Sequence, residues 1–483
     1  MPSYIPVIGL EVHAQLATRT KIFCACANRH GDPPNTNTCP VCLGLPGALP
    51  VLNRAAVELA VRMALAAGCT VHGRSVFARK NYFYPDLAKG YQITQYDRPL
   101  ATGGAVQIEI EGRPRLIKLV RIHLEEDAGK LVHEGLPSSR TDSHVDFNRA
   151  GVPLIEIVST PEIRTPEEAY LCLQRLRSLL TYTGVCDGSM EKGSLRCDAN
   201  VSLGKAVGAA FGTKVELKNL NSFRNVQRAL AYEIARQSAV LERGGEVTQE
   251  TRLYDASAGE TRTMRSKEEA HDYRYFPEPD LPPLEIDEGR LGPVRAGLPE
   301  LPAQRKSRFI GEWGLPEREA HLLTLEKPLA DYFEEAVSLS GDAREIAKLV
   351  LRELQRWANE EKVDSASLRD RFLPSWLAAI ARARGAGAIT ATTAAEVLEA
   401  AWRGGEHPEA LIGRGGLARI SDVSAIAAAV ARVIEENPRQ VAQYKKGKEA
   451  VFGFLVGQVM KATGGMADPA AVNRLLKEAL EAL

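Results

Sequence analysis

The chain has 483 residues, with 61 Lys and Arg against 61 Asp and Glu, 45% apolar residues and 25% charged ones. That length implies two to four domains, because a single core stops growing near roughly 250–300 residues, and the composition is that of an ordinary globular protein. The balanced charge removes net charge as an argument for a nucleic-acid partner, and no apolar run reaches the roughly 18–20 residues of a membrane span.

Met1-Pro2-Ser3-Tyr4-Ile5 lacks the basic start and apolar core of a signal peptide, so a cytoplasmic location is expected. Val7 to Leu16 alternates: Ile8, Leu10, Val12, Ala14 and Leu16 share one face, and Glu11, His13 and Gln15 the other. Cys24-x-Cys26 and Cys39-x-x-Cys42, separated by twelve residues, are four thiols in two close pairs. Such pairs close a tetrahedral sulfur site, so a structural zinc knuckle over 24–42 is expected; with no open position, it is not catalytic. Cys69, Cys172, Cys186 and Cys197 are scattered and read as small core residues.

Asn53 to Gly68 reads as a helix stopped by glycine. Phe77-Ala78-Arg79-Lys80-Asn81-Tyr82-Phe83-Tyr84-Pro85-Asp86 combines two cations and four aromatics able to clamp a nucleotide or a single-stranded RNA end, although on local evidence alone a core-facing strand with a basic start is the better fit. A hairpin over 106–124, turning at Gly112-Arg113-Pro114, delivers the triplet Glu125-Glu126-Asp127. Consecutive carboxylates repel and are costly to bury, so they need a cation or a solvated surface.

Three further strand-like segments carry acids where a packed strand has none: Glu156 in Pro153–Val158, Asp198 in Leu195–Leu203, and Glu216 in Lys214–Lys218. An antiparallel sheet with one packed and one wet face explains the alternation. It leaves unexplained why the wet face collects Glu11, His13, Glu125, Glu126, Glu156, Asp198 and Glu216. Hard oxygen donors with one imidazole suit magnesium holding the phosphates of a nucleotide.

Pro166–Tyr182, capped by Thr165, and Asn225–Arg243 read as helices. Between Gln249 and Arg274 the run Arg252, Arg262, Arg265 and Arg274 suits bidentate phosphate binding or a solvated face; Arg252 and Arg274 are the candidates for ATP phosphates. Proline-rich Pro277–Pro302 marks the first boundary, and Arg403–Gly405 with Gly413–Gly416 the second, giving domains over 1–294, 295–405 and 406–483. The segments after the first boundary are helical. Lys445, Lys446 and Lys448 cluster at a helix end and are candidates for RNA-backbone contacts.

No Gly-x-x-x-x-Gly-Lys-Ser/Thr loop, Gly-x-Gly-x-x-Gly, His-Glu-x-x-His or Gly-x-Ser-x-Gly occurs. Nor is there a Ser-Ser-Lys amidase arrangement, so any ammonia handled here comes from a partner.

Val7–His13, Arg79–Asp86, His123–Lys130, Asp146–Arg149, Pro153–Val158, Gly193–Asn200, Lys214–Ser222, Asp272–Asp280 and Gly453–Gln458 together resemble the B-subunit family of aspartyl/glutamyl-tRNA amidotransferases, in one order along nearly the full length. Ala78 and Met466 stand where that family often has Asp and Lys. The resemblance implies an α+β protein: a cradle domain with a mainly antiparallel sheet, helices and the zinc knuckle, then a helical domain and a small YqeY-like tail. It implies ATP-dependent phosphorylation of the side-chain carboxyl of Glu-tRNA(Gln) or Asp-tRNA(Asn), followed by amidation with ammonia from an amidase A subunit, a small C subunit bracing the pair. It also implies a magnesium site on His13, Glu126 and Glu156 and a second cation position on Glu11, Glu125, Asp198 and Glu216. Lys80 and Lys89 fall on the ammonia path. Glu125 and Glu126 point oppositely in a regular strand, so serving both sites needs a bulge. A zinc-containing tRNA-binding adaptor without chemistry is the alternative, and a kinase for free small acids a third; the carboxylate-lined face opposes the adaptor, because anions repel a phosphate backbone.

Overall fold

Alternation along Ile5–Gln15 creates a strand whose even residues from Ile8 to Ala14 are buried and whose odd residues remain partly exposed. A computed structural model describes this strand and its surroundings over residues 4–132, 141–205, 211–266, 273–414, 423–464 and 467–482. Gly415, Gly416, Met466 and Asp272 lie outside the described residues.

The chain divides into two compact units, Met1–Pro302 and Ala303–Leu483. The first is built on a ten-stranded sheet. Its strands are β1 (Ile5–Gln15), β2 (Thr70–Val71), β3 (Ala101–Thr102), β4 (Ala105–Ile110), β5 (Arg113–Glu126), β6 (Pro153–Ser159), β7 (Leu195–Gly204), β8 (Val215–Lys218), β9 (Glu250–Asp255) and β10 (Glu260–Ser266). They lie in the order β10-β9-β8-β7-β1-β6-β5-β3-β2, with β4 paired to β5. Every pairing is antiparallel except β8 with β9. The β4–β5 hairpin turns at Glu111 and Gly112, both with positive φ, so Arg113 and Pro114 belong to the strand rather than the turn.

Three helices serve the packed face: α1 (Arg54–Ala66), α2 (Pro166–Tyr182) and α3 (Phe223–Glu242). Asn53, Thr165 and Ser222 cap them, each side chain accepting from a first-turn N–H. Leu173, Leu176 and Leu180 of α2 and Val226, Ala229 and Leu230 of α3 join Leu10, Val12, Ile155, Ile157 and Val201 in one core. That burial commits one face of the sheet to the core and leaves the polar side chains to the other. A side sheet of Ala78–Asn81, Tyr91–Thr94 and Phe276–Pro277 packs Tyr91–Thr94 beside β5.

The second unit is helical throughout its described residues. Four tail helices, Val423–Glu436, Pro438–Lys445, Ala450–Ala462 and Pro469–Glu481, have their own core of Ile426, Val430, Leu455, Val459, Val472 and Leu476. Lys445, Lys446 and Lys448 are exposed at the end of the second of them. Among the described residues, no helix is long and apolar enough to cross a membrane.

Candidate active site

The three central strands set the site by register. His13 of β1 lies opposite Glu156 of β6, which lies opposite His123 of β5. Directly opposed residues share a face, so all three emerge on the side away from the helices, His13 and Glu156 partly exposed and His123 buried. Glu125, two residues on from His123, emerges there too. His13 Nε2 stands 3.6 Å from both Glu125 Oε1 and Glu156 Oε2. His123 Nε2 is 3.4 Å from Glu156 Oε2 and 3.8 Å from Glu125 Oε2. Thr94 Oγ1 donates to Glu125 Oε2 at 3.2 Å.

Two carboxylates and two imidazoles at this depth attract positive charge. Burial pulls the His13 pKa down, but the hydrogen bond to Glu156 and the charges of Glu125 and Glu156 outweigh it, so it stands raised. Burial pushes Glu156 up, yet His13, His123 and Lys80 hold it well below the usual carboxylate range. Glu125 is likewise lowered: burial and the Glu156 charge push it up, and His123 and His13 overcome them. One donor atom each from His13, Glu125 and Glu156 lie within 4.8 Å of one another, a donor set that fits a divalent cation.

Here the geometry differs from the ligand set His13, Glu126, Glu156. The β5–β6 ladder is regular from Arg121 to Glu126, and its only shift lies at Val158/Ser159. Without a bulge, strand alternation turns Glu126 away from the face carrying Glu125. The triplet therefore divides three ways. Glu125 joins the two histidines. Glu126 accepts from Lys89 Nζ, 2.6 Å from Oε2, and from the Ile93 N–H at 2.9 Å. Asp127 accepts from Arg196 Nη2 at 2.8 Å and Gln15 Nε2 at 3.0 Å.

The set Glu11, Glu125, Asp198 and Glu216 does not close on one point. Among the described residues only two groups of three or more His, Cys, Asp and Glu converge, and this is not one. Lys218 Nζ stands between two of its members, 2.7 Å from Asp198 and 3.2 Å from Glu216, and Glu11 accepts from Asn200 at 2.9 Å. Burial, with Glu156, Asp198 and Glu216 nearby, raises the Glu11 pKa. This anionic field is the continuation of the same wet face.

The second converging group is Cys24, Cys26, Cys39 and Cys42, all free thiols. Lys21, fully buried, brings Nζ to 3.6 Å from Cys42 Sγ, and donates to Asn37 O at 2.7 Å and Phe147 O at 3.3 Å. A buried cation beside four thiols suits a zinc tetrathiolate, whose net charge is negative. Asn148 Oδ1 accepts from the Asn37 N–H at 2.8 Å, and its Nδ2 donates to Pro33 O at 2.7 Å, tying the knuckle loop to the sheet unit.

Cys24, Cys42 and Gly44 share with Lys89 and Glu126 the lining of a cavity of about 220 Å³. Gly44 has φ +67, and the Lys89 stem fills the space its Cβ would need. The Lys89–Glu126 pair is nearly sealed, with side chains 9% and 3% exposed. Removing one partner strands a buried charge, so Lys89→Met is expected to cost about 3–5 kcal/mol. Denaturant titration measures this, and Lys89→Met with Glu126→Gln together should restore much of it.

Lys80 lies near Glu125 and Glu156, whose charges, against the effect of burial, raise its pKa. Arg252 is not available for phosphate: its guanidinium donates to Thr261 Oγ1, Glu250 Oε1, Thr263 Oγ1 and Thr261 O at 2.7–2.9 Å. Buried Glu233 of α3 stands 3.4 Å away, so Arg252 ties α3 to β9 and β10. Arg274 is exposed, in a left-handed turn with φ 46. His123 and Lys218 are the functional-face residues that the acids alone do not reveal; His123 has the same strand parity as Glu125, which is the available signal.

Residues 6–291 match the GatB/GatE catalytic domain, and residues 331–480 match the GatB domain. Both the metal-fitting centre and the cysteine cluster fall within the first match, which defines the class of the sheet unit. The chain is 51% identical over 485 residues to the B subunit of the aspartyl/glutamyl-tRNA(Asn/Gln) amidotransferase of Carboxydothermus hydrogenoformans, covering all of both chains. It is 52% identical to that of Nitratidesulfovibrio vulgaris strain DP4, covering 99% of this chain and 100% of the relative, and 48% identical to that of Chlorobaculum tepidum, with the same coverage. The chain belongs to the family of aspartyl/glutamyl-tRNA(Asn/Gln) amidotransferase B subunits.

Proposed function

We propose that this chain phosphorylates and then amidates the side-chain carboxyl of Glu-tRNA(Gln), Asp-tRNA(Asn) or both, in the cytoplasm, with an amidase A subunit making the ammonia and a small C subunit bracing the pair. The observation that carries this reading is the convergence of His13, Glu125 and Glu156, backed by His123, on the wet face of the sheet. A pure RNA-binding adaptor has no use for anions there.

A carboxylate is a poor electrophile. Transfer of the γ-phosphoryl of ATP forms a carboxyl O–P bond, breaks the bond to ADP and yields an acyl phosphate. Ammonia then attacks the acyl carbon and inorganic phosphate leaves. Magnesium, when held by His13, Glu125 and Glu156, supplies charge neutralisation on the transferring group. His123 and Thr94 orient the carboxylate of Glu125. Lys80, whose charge interacts with those of Glu125 and Glu156, belongs with Lys89 to the polar lining of the ammonia path in this reading. The Lys89–Glu126 pair, on the other side of β5, guards the cavity that we assign to the ammonia path; a water-poor path protects the acyl phosphate from hydrolysis.

Zinc in the knuckle is structural in this reading. The tail cations are the tRNA contacts. Lys445→Ala, Lys446→Ala and Lys448→Ala together should weaken tRNA binding and shrink its salt dependence by roughly one unit of slope for each phosphate no longer neutralised. Filter binding across a salt series checks this; an unchanged slope assigns those lysines to solvent. The reading as a whole is tested by assaying the purified complex for ATP hydrolysis with each misacylated tRNA: stimulation is expected, and none with either tRNA contradicts it.

A further inference from the structure

Beside the metal-fitting centre lies an aromatic cluster that phosphoryl transfer does not use. Tyr96 and Tyr275 stack with centroids 4.0 Å apart and planes 2° from parallel. Tyr273 meets Tyr275 edge-on at 5.9 Å, and Tyr82 meets Tyr273 at 6.2 Å. Lys80 Nζ stands 4.9 Å from the Tyr273 ring centroid. The cluster is built, not incidental. Arg274 adopts φ 46, a left-handed conformation unusual for a long side chain, and thereby places two tyrosines on either side of one turn. Asn81 holds that turn, donating its side-chain N–H to Tyr273 O at 3.1 Å and Arg274 O at 2.8 Å and its backbone N–H to Tyr273 O at 3.0 Å.

The platform is continuous with the site. Arg121, on the same face of β5 as His123 and Glu125, donates to Tyr96 O at 3.3 Å. Thr94, two residues before Tyr96, donates to Glu125 Oε2 at 3.2 Å, and Lys80, which lies 4.9 Å from the Tyr273 ring, also interacts with the charges of Glu125 and Glu156. It is also open, Tyr96 being 44% exposed.

We propose that Tyr82, Tyr96, Tyr273 and Tyr275 form a stacking platform for the unpaired 3′-terminal adenosine of the aminoacyl-tRNA, which delivers its ester-linked side chain to His13, Glu125 and Glu156. This rests on the function proposed above. Single-stranded RNA ends are bound by stacking unpaired bases on aromatic rings. The amino acid is esterified to the terminal ribose, so the terminal base must sit beside the centre that phosphorylates it. An open edge suits an end that enters and leaves in each cycle. We assign ATP, the other source of adenine, to a separate open cavity on the same face of the sheet, about 220 Å³ over Val7, Gly9 and Glu11, with Phe211 and Lys214 in its wall.

The test uses the assembled complex and tRNA carrying 2-aminopurine in place of its terminal adenine, whose fluorescence falls on stacking. Binding to the wild type should quench it. Tyr275→Leu, and independently Tyr96→Leu on another segment, should lose the quench and raise KM for aminoacyl-tRNA roughly tenfold, with KM for ATP unchanged. Tyr275→Phe should behave as wild type. Unchanged quenching in both leucine variants overturns the proposal, as does a raised KM for ATP with that for tRNA intact. A wild type without tRNA-stimulated ATP hydrolysis overturns the proposed function instead, and the quench still reports on the platform.

Discussion

Glu125→Gln is expected to reduce tRNA-dependent ATP hydrolysis by roughly two to three orders of magnitude, the scale at which losing one preorganised charge slows a charge-transfer step. The substitution keeps volume and the Thr94 contact while removing half of the negative charge facing His13 and His123. Glutamine hydrolysis by the partner amidase should persist. Glu126→Gln is the internal control: its carboxylate meets Lys89 and the Ile93 N–H on the opposite face, so phosphoryl transfer should survive while coupling of glutamine hydrolysis to amidation weakens, with the stability cost of the stranded Lys89 read separately by denaturant titration. Single-turnover formation of the acyl phosphate separates the two. A Glu125→Gln enzyme that still phosphorylates its substrate, with Glu126→Gln inactive in that step, removes Glu125 from the site.

Cys42→Ser should abolish zinc binding and unfold the knuckle. A structural zinc contributes about 10–16 kcal/mol of apparent binding energy in small domains. The loop's remaining ties, through Asn35, Asn37 and Asn148, are hydrogen bonds worth about 0.5–1.5 kcal/mol each. They cannot hold the loop alone, and Lys21 would be left buried beside a vacated cluster. Metal analysis should find one zinc per wild-type chain and none in Cys42→Ser, with new protease cleavage between residues 24 and 50. Because Cys24 and Cys42 line the cavity of Lys89 and Glu126, ammonia transfer should fail before phosphoryl transfer does. A metal-free wild type with cystines, or a protease-resistant Cys42→Ser, contradicts this.

What was legible in the sequence was local. The alternation from Val7 to Leu16 marked the two-faced strand, and the acids on its wet partners marked the face where His13 and Glu156 meet. The convergence of Cys24, Cys26, Cys39 and Cys42 was legible because four thiols at close spacing carry their own chemistry. Register was not. Whether Glu125 or Glu126 faces His13 depends on the β5–β6 ladder being unbulged at that end, which no single strand encodes. Asp127 is the third acid of the consecutive triplet, but its partner Arg196 comes from β7. Arg252 suits a phosphate by its sequence, but Glu250 on its own strand, Thr261 and Thr263 on the paired strand and Glu233 on α3 take up its guanidinium, partners that only the fold brings together. The tyrosine platform depends on one left-handed residue, Arg274, and sequence does not announce such a turn without glycine or asparagine.

Anomalous diffraction from crystals of the complex soaked in Mn²⁺ tests the central claim most directly. The expected result is a peak coordinated by His13 Nε2 and by carboxylate oxygens of Glu125 and Glu156, at roughly 2.0–2.6 Å for the oxygen ligands, and absent from Glu125→Gln. A peak on Glu126, with none between His13, Glu125 and Glu156, would contradict it.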